Sequence, residues 1–376
     1  MEFGLFYEWP NPQLRNWKTL FEEGVEQIQY SEELGFDYCL IAEHHFTNYG
    51  NSPAPLLQAL HIGQRTRRIR IGTAAVVLPV WQPLRLAEEI AVLDNLIDGR
   101  FMCGVGRGYQ AYEMSGFGGD VGESRQRFNE TLDVLIKAWT STESFTYEGE
   151  IVSIPEPITV FPKPLQKPYP PLLLAGTSAE SMRLAARLDM LPLSSSQMGV
   201  DGVRAQYGVL AHAYHEAGKP LDNLRLGLQC VTHVAPTDEQ ALEELKYARW
   251  QNRAQRGLNR RAVVNGRVDA SPYENELDDE ALMDRLFFGS PETVIKKFER
   301  MAAVGATHIS NWMMFGGIEH EKLMRSVRLM GEEVIPALRN LKPPKGLAES
   351  LLEEQPLSDE EIQAARFARS PRDMAT

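Results

Sequence analysis

The sequence has few cysteines, no run of basic residues and no apolar stretch long enough to span a membrane. Its three cysteines, Cys39, Cys103 and Cys230, stand far apart in apolar stretches, without metal-ligand spacing or a disulfide framework. We expect them to be small core residues in a reducing compartment. The first residues already resemble a strand, so no signal peptide is predicted and a cytoplasmic location is expected.

The charge balance argues against nucleic acid as a partner. The net charge is −12, from 39 basic and 51 acidic residues, and such a surface does not attract a polyanion without a local basic patch. The chain has 376 residues, of which 43% are hydrophobic. This is enough for a large buried core, and a single barrel domain with insertions reaches this length.

Short apolar segments alternate with longer amphipathic ones along most of the chain, which is typical of a parallel α/β fold. Eight such units favour a closed (β/α)8 TIM barrel over an open doubly wound sheet. The eight strands are predicted at residues 2–8, 36–42, 70–77, 101–105, 172–175, 190–193, 224–234 and 308–314.

Two insertions and a tail interrupt this pattern. Residues 145–154 indicate a small hairpin that turns near Gly149. Residues 255–288 are charged and irregular, which predicts a lid-like insertion before strand eight or a disordered segment. The predicted division is a barrel over residues 1–340 and a C-terminal extension outside it over residues 341–376.

The end of strand two carries Glu43, His44 and His45. Functional residues of such barrels gather at the C-terminal ends of the strands. Neighbouring side chains of a strand point to opposite sides, so at most one histidine faces the barrel mouth, where it can transfer protons near neutral pH. A structural pair bonded to a carboxylate is an equal alternative, and no metal site is predicted because metal-motif spacing is absent.

Two neighbouring strand ends are suited to an anion. Gly106, Arg107 and Gly108 follow strand four, where glycines allow close approach of a ligand and the arginine grips an anion. A second segment follows strand five and leads into a helix whose N-terminus favours anions; it contains Gly176, Thr177, Ser178 and Ser181. The alternatives are a glycine turn with a solvated arginine, and ordinary helix capping.

Several longer motifs, in this order, resemble the bacterial luciferase-like flavin-dependent monooxygenases, above all the luciferase α subunit. The resemblance extends from residue 1 to about 340. It is carried by Glu43–Gly50, Gly72–Pro79, Gly99–Phe101 and Gly106–Gly108.

This resemblance implies a role for each matching residue. His44 matches the catalytic histidine near the flavin, and His45 its functionally important neighbour. Ala74 and Ala75 match a pair joined by a cis peptide beneath the flavin ring. Arg107 matches a phosphate-binding arginine, and Thr177, Ser178 and Ser181 fall where the family binds the phosphate. Trp250 matches a tryptophan near the ring.

The resemblance also implies an activity. Reduced FMN from a separate flavin reductase would react with O2 through a C4a-peroxyflavin and oxygenate a small, largely apolar substrate, with a ketone or aldehyde as a candidate. A homodimer is implied as well. Gly106 replaces a cysteine of the luciferase α subunit and Ser194–Ser196 stands near a bulky tryptophan of that protein, so bioluminescence is not expected.

Two alternatives stay open. One is hydride transfer with a deazaflavin coenzyme, and the other is a non-catalytic flavin-binding subunit. Four aromatic residues are equally suited to line a substrate pocket or to belong to the core: Trp81, Tyr109, Trp250 and Trp312.

Overall fold

The barrel strands form because short apolar segments are covered on both faces, by the barrel interior and by the surrounding helices. The computed structural model describes residues 1–358 and 360–361. The last part of the expected C-terminal extension, residues 359 and 362–376, lies outside the described residues. The strands are β1 (Glu2–Tyr7), β2 (Tyr38–Ile41), β3 (Arg70–Thr73), β4 (Val76–Val77), β5 (Phe101–Gly106), β6 (Phe145–Glu148), β7 (Ser153–Ile158), β8 (Leu172–Ala175), β9 (Leu191–Ser195), β10 (Gly227–Val234), β11 (Val263–Val264), β12 (Arg267–Val268), β13 (Phe287–Gly289) and β14 (His308–Trp312).

Eight strands close into a parallel barrel in the order β1, β2, β3, β5, β8, β9, β10 and β14, and β14 pairs with β1 again. The predicted (β/α)8 fold is therefore confirmed. Each of the eight predicted strands overlaps one of the barrel strands, with differences of a few residues at the ends. The short β4 pairs with β5 at the C-terminal end of the barrel, and β13 pairs with β10.

Helices follow the strands and pack around the barrel. They are α1 (Trp17–Glu33), α2 (Pro55–Gly63), α3 (Pro83–Leu96), α4 (Ala111–Gly116), α5 (Ser124–Thr140), α6 (Ala179–Leu188), α7 (Gly199–Glu216), α8 (Asp238–Asn259), α9 (Asp279–Arg285), α10 (Pro291–Ala302), α11 (His320–Leu329), α12 (Ile335–Leu338) and α13 (Leu347–Leu351). No helix of residues 1–358 and 360–361 is both long and apolar enough to cross a membrane.

Local signals fix several helix ends. The side chain of Asn16 accepts a hydrogen bond from the backbone N–H of Thr19 at 3.2 Å and so caps α1. Gly35, which follows α1, has a φ of +84°, a conformation that glycine adopts at little cost. The sequence therefore predicts both ends of this helix correctly.

The first insertion is the predicted hairpin, because β6 and β7 pair antiparallel. The buried carboxylate of Glu130 on α5 organises its turn. It accepts hydrogen bonds from the backbone N–H groups of Glu150, Ile151 and Val152 at 2.8, 3.0 and 2.7 Å. The hairpin is thus held to the helix beneath it by one side chain.

The second insertion, residues 255–288, contains more secondary structure than its irregular sequence indicates. Helix α8 extends into this segment and ends at Asn259. It is followed by the small β11–β12 hairpin, then α9 and β13. The added turns bury Ala254, Gly257 and Leu258 on one face, while Gln255 and Asn259, one turn apart, line a cavity.

The described part of the C-terminal extension packs on the outside of the barrel. Ala348 and Leu351 of α13 are buried against α7. Glu354 pairs with Arg204 of α7 at 2.6 Å. The described part of the extension is therefore anchored to α7.

Candidate active site

A cavity of about 990 Å³ opens at the C-terminal ends of the barrel strands. It is large enough for a cofactor or a drug-sized ligand. Nine of the eleven site residues predicted from the sequence line it, and two, His45 and Trp250, do not. The nine are His44, Ala74, Ala75, Arg107, Gly108, Gly176, Thr177, Ser178 and Ser181.

His44 lies between two carboxylates in the cavity wall. Its Nδ1 is 2.9 Å from Glu113 Oε1, and its Nε2 is 3.4 Å from Glu8 Oε2. All three side chains are buried. The edge of the His44 ring packs against the ring of Tyr49, with 4.9 Å between centroids. This imidazole is therefore held in one orientation and has hydrogen-bond partners at both nitrogens.

The two carboxylates control the charge of His44. Burial alone would lower the pKa of His44, but the charges and hydrogen bonds of Glu113 and Glu8 raise it well above its ordinary value. Burial raises the pKa of Glu8, and its hydrogen bond with His44 opposes this rise. The site thus favours a protonated imidazole at neutral pH.

Glu8 is itself fixed by a side chain of α8. Gln251 of α8 donates a hydrogen bond from Nε2 to Glu8 Oε1 at 2.6 Å, and its Oε1 accepts one from the backbone N–H of Gly316 at 3.0 Å. Because both ends of the amide are bound, its orientation is defined. The polar contacts from Gly316 through Gln251 and Glu8 to His44 thus form a continuous buried network.

His45 points away from the cavity, as the alternation of side chains predicts for one of the two histidines. Its Nε2 is 2.9 Å from Glu43 Oε1, and its ring packs against Phe117. The Glu43 carboxylate also accepts hydrogen bonds from the backbone N–H of Val77 at 2.7 Å and from Trp81 Nε1 at 3.0 Å. His45 therefore supports the segment after β3 and does not line the cavity.

Arg107 lines the cavity with an exposed side chain that forms no hydrogen bond or ion pair with any residue described in the structure. Across the same end of the cavity, Ser178 caps α6: its Oγ accepts from the backbone N–H of Ser181 at 3.1 Å, and the two hydroxyl oxygens are 2.9 Å apart. A free guanidinium and a helix N-terminus with two hydroxyls suit an anion.

Two further arginines near this end are already paired. Arg125 forms an ion pair with Glu180, and Arg183 lies 3.8 Å from Glu216. Both also line the cavity. Because their charge is compensated, Arg107 and Arg187 are the cavity-lining arginines left without an ion pair among the described residues, and Arg107 directly follows β5 between Gly106 and Gly108.

Small residues form one wall of the cavity. Ala74 and Ala75 are joined by a cis peptide bond, as the resemblance implies. A Cβ atom added at Gly106 would lie 3.0 Å from Ala75 Cβ and 3.5 Å from Ala175 Cβ. Because no large side chain stands on this wall, a broad surface stays open for a flat ligand. The residues present therefore fit an isoalloxazine ring.

The predicted aromatic residues divide between cavity and core. Tyr109 and Trp312 line the cavity, whereas Trp81 binds Glu43. Trp250 is partly buried on α8 and packs against the hydrophobic core. Its assignment to a cofactor gains no support from this position.

The second insertion contributes to the rim. Asn259 Oδ1 accepts a hydrogen bond from Gln110 Nε2 at 3.0 Å, which joins the end of α8 to the segment after β5. The β11–β12 hairpin is attached to the loop after β2, because the backbone N–H of Asn48 donates to the carbonyl of Gly266 at 2.8 Å. The insertion thus lies over the same mouth that contains His44.

Sequence reasoning missed Glu8, Glu113 and Gln251. Glu8 directly follows β1, so the rule that functional residues lie at strand ends could have identified it. Glu113 and Gln251 lie on helices, 69 and 243 residues from their partners His44 and Glu8. No local pattern reveals contacts at such separations. Within residues 1–358 and 360–361, no group of three His, Cys, Asp or Glu side chains could hold a metal ion.

Comparison with known proteins agrees with the resemblance found in the sequence. The family model described as luciferase-like monooxygenase matches residues 1–308. The oxygenase component of the flavin-dependent trigonelline monooxygenase of Acinetobacter baylyi is 25% identical over 342 residues, covering 86% of this chain and 92% of that relative. The alkanal monooxygenase alpha chain of Photobacterium leiognathi is 29% identical over 340 residues, covering 82% and 91%. The crystal structure of the monooxygenase RslO1 from Streptomyces bottropensis has a TM-score of 0.77 at 26% identity and covers 90% of this chain and 99% of that one.

Proposed function

The chain belongs to the luciferase-like monooxygenase family, and we propose that it is the oxygenase component of a two-component, FMN-dependent monooxygenase. A separate reductase supplies the reduced FMN, and a small organic molecule is the substrate. One observation carries the proposal: the unpaired guanidinium of Arg107 and the hydroxyls of Ser178 and Ser181 border the same cavity as the buried His44. The relative from Acinetobacter baylyi, named as an oxygenase component, supports the dependence on a reductase.

The two parts of FMN suit two parts of the cavity. Arg107 and the N-terminus of α6 bind the phosphate, because a guanidinium fork and free backbone N–H groups both complement its charge. Ala74, Ala75 and Gly106 leave room for the ring. We therefore place the ring beside Ala74, Ala75 and Gly106 and the phosphate at the rim of the cavity.

When bound, reduced flavin supplies the two electrons that activate O2, so that one oxygen atom enters the substrate and the other leaves as water. The raised pKa of His44 favours a proton on both of its ring nitrogens. Glu113 binds Nδ1 at 2.9 Å, whereas Nε2 lies 3.4 Å from Glu8. Nε2 is therefore the atom that exchanges its proton with a bound group, while Nδ1 fixes the ring.

The second insertion limits access of water to the cavity. Asn259 and Gln110 join across the rim, and the β11–β12 hairpin is attached to the loop that carries His44. Exclusion of water strengthens electrostatic interactions in the cavity and suppresses side reactions. On the basis of these contacts, we assign the insertion the role of a lid over the cavity. A homodimer stays a prediction of the family resemblance.

Arg107→Ala tests the proposal. Loss of a charge-assisted contact to phosphate should weaken FMN binding roughly 10- to 100-fold. The measurement is the quenching of FMN fluorescence on titration with protein. Arg127→Ala is the matched control, because Arg127 on α5 is paired with Glu123 at 3.0 Å and does not line the cavity.

Unchanged FMN affinity in Arg107→Ala, with the wild-type protein binding FMN, would contradict the assigned phosphate site. Substrate oxidation without O2 by an oxidised deazaflavin, which accepts the hydride, would instead support hydride transfer and contradict the monooxygenase proposal.

A further inference from the structure

Polar side chains from three neighbouring strands lie together at the inner end of the cavity. Gln229 of β10 is in register with Ser195 of β9 on one side and with Ser310 of β14 on the other. Residues in register on parallel strands point to the same face of a sheet, and all three residues line the cavity. We refer to Ser195, Gln229 and Ser310 as the polar floor.

Much of the hydrogen-bonding capacity of the polar floor is unused. Ser310 is 1% exposed, and its hydroxyl has no hydrogen-bond partner among the described residues. The partly buried carboxamide of Gln229 forms no hydrogen bond with any residue of the described chain. Ser195 Oγ accepts one from the backbone N–H of Gln197 at 3.3 Å, so its own proton remains available. Buried polar groups are normally bonded, so this arrangement indicates a ligand.

The barrel is closed beyond the polar floor. Gly4 of β1 is the register partner of Ser310, and a Cβ atom added there would lie 2.1 Å from the ring of Tyr38. That ring is completely buried and fills the space next to Gly4. A ligand therefore ends at the polar floor and goes no deeper.

Apolar side chains occupy the next level towards the mouth. Trp312 is the register partner of both Phe6 and Val231, and all three residues line the cavity. The rings of Phe6 and Trp312 meet edge to face with 5.5 Å between centroids. None of the three polar-floor side chains ionises at neutral pH. The inner cavity thus suits an apolar body with an uncharged polar group at its end.

We propose that the polar floor binds the carbonyl or hydroxyl oxygen of an uncharged organic substrate, with Gln229 as the main specificity residue and Phe6, Val231 and Trp312 around the apolar body. Gln229 both donates and accepts hydrogen bonds, so it binds either kind of oxygen. The role of this molecule as substrate rests on the proposed function, whereas its binding does not.

The test compares molecules of the same shape. Acetophenone, 1-phenylethanol and α-methylstyrene carry a carbonyl, a hydroxyl and a CH2 group at the same position, and calorimetry on the flavin-free protein measures their binding. The wild-type protein should prefer the oxygen compounds over the hydrocarbon roughly 3- to 10-fold. Preference for the ketone or for the alcohol then identifies the oxygen group.

Variants identify the residues responsible. Gln229→Leu should remove most of the preference, and Ser310→Ala, which deletes only an unpartnered hydroxyl, should reduce it. Ser196→Ala is the control, because Ser196 is buried beside Ser195 but does not line the cavity. Thermal melting shows that each variant is folded.

FMN titration separates this proposal from the proposed function. Gln229→Leu should leave FMN affinity within about twofold of wild type, because the phosphate site is intact. A wild-type protein without preference for oxygen compounds overturns the polar-floor proposal, as does a Gln229→Leu variant that keeps the preference. Failure of FMN binding in the wild type would refute the proposed function alone.

Discussion

At the scale of single residues, the position of His44 between Glu113 and Glu8 determines its chemistry. An isolated histidine titrates near neutral pH, whereas two nearby carboxylates favour its charged form. Burial works in the opposite direction, and the carboxylates outweigh it, so the pKa of His44 is raised. The carboxylates therefore extend the pH range over which this imidazole can donate a proton.

Glu113→Gln should lower the pKa of His44 towards its ordinary value. The substitution keeps a side chain of similar shape but removes the negative charge beside Nδ1. The ring should then lose its proton at lower pH than in the wild type, as measured by NMR titration of the His44 Cε1–H signal. Glu43→Gln is the control, because Glu43 binds His45. An unchanged or higher pKa in Glu113→Gln would refute the assigned electrostatics.

At the scale of elements, the N-terminus of α6 combines helix capping with anion binding. Ser178 satisfies the backbone N–H of Ser181, and the same turn borders the cavity. Sequence reasoning treats capping and binding as alternatives, but one serine can serve both. A substitution that keeps the cap and changes the charge separates the two functions.

Ser178→Asp should leave stability nearly unchanged and weaken FMN binding about 10-fold or more. Aspartate caps helices about as well as serine and suits the helix dipole, but its charge repels a phosphate. Melting temperature and FMN fluorescence titration measure the two effects. Ser178→Ala should instead lower the free energy of unfolding by about 1 kcal/mol, because the cap is lost, and should affect FMN binding less than Ser178→Asp. If Ser178→Asp binds FMN as tightly as the wild type, the phosphate does not lie at this helix.

Three other elements are joined by a buried cluster. His233 of β10 lies 2.6 Å from Glu244 of α8, and Arg325 of α11 binds the same carboxylate at 2.6 Å. Burial alone would raise the pKa of Glu244, but hydrogen bonds from His233 and Arg325 lower it to about 2. The ionised Glu244 therefore stabilises the folded protein fully at pH values above its ordinary pKa of 4.5. This stabilisation decreases as the pH falls from 4.5 towards 2.

Glu244→Gln should lower the free energy of unfolding by about 3 kcal/mol at pH 6, because it leaves Arg325 without its charged partner. The difference from wild type should shrink at pH 3, where the wild-type cluster has lost part of its stabilisation. Urea unfolding at both pH values measures this. A difference that is equal or larger at pH 3 contradicts the linkage.

The sequence predicts elements better than it predicts contacts between them. The barrel strands are recognisable because each is a short apolar run followed by an amphipathic helix. Helices α4 and α9 are hard to recognise in the sequence, since they are short and interrupt a strand-to-helix pattern. Glu113 reaches His44 from α4, so an unpredicted element concealed part of the site. The polar floor depends on register between strands, which sequence periodicity does not give.

At the scale of the whole molecule, the cavity and the described part of the tail are formed by different residues. The cavity is at the C-terminal ends of the strands, whereas α13 packs on α7. None of the cavity-lining residues belongs to the segment after residue 341. We therefore propose that residues 341–358, the described part of the extension, lie outside a barrel of residues 1–340 and stabilise it without contributing to the site.

Truncation after Lys345 should lower the melting temperature by roughly 3–8 °C, because burial of Leu351 and Ala348 is lost. FMN affinity should stay within about twofold of wild type. Arg204→Ala, which removes only an exposed ion pair with Glu354, should cost about 1 °C or less. Loss of FMN binding in a folded truncated protein would contradict the separation.

The opposite orientations of His44 and His45 have a consequence for a deep mutational scan. Position 44 should show epistasis with positions 8 and 113, which contact its two nitrogens. Position 45 should show epistasis with position 43, because the carboxylate of Glu43 links His45 to the segment after β3. Two histidines adjacent in sequence would then belong to separate mutational networks, one sensitive to pH and the other to temperature.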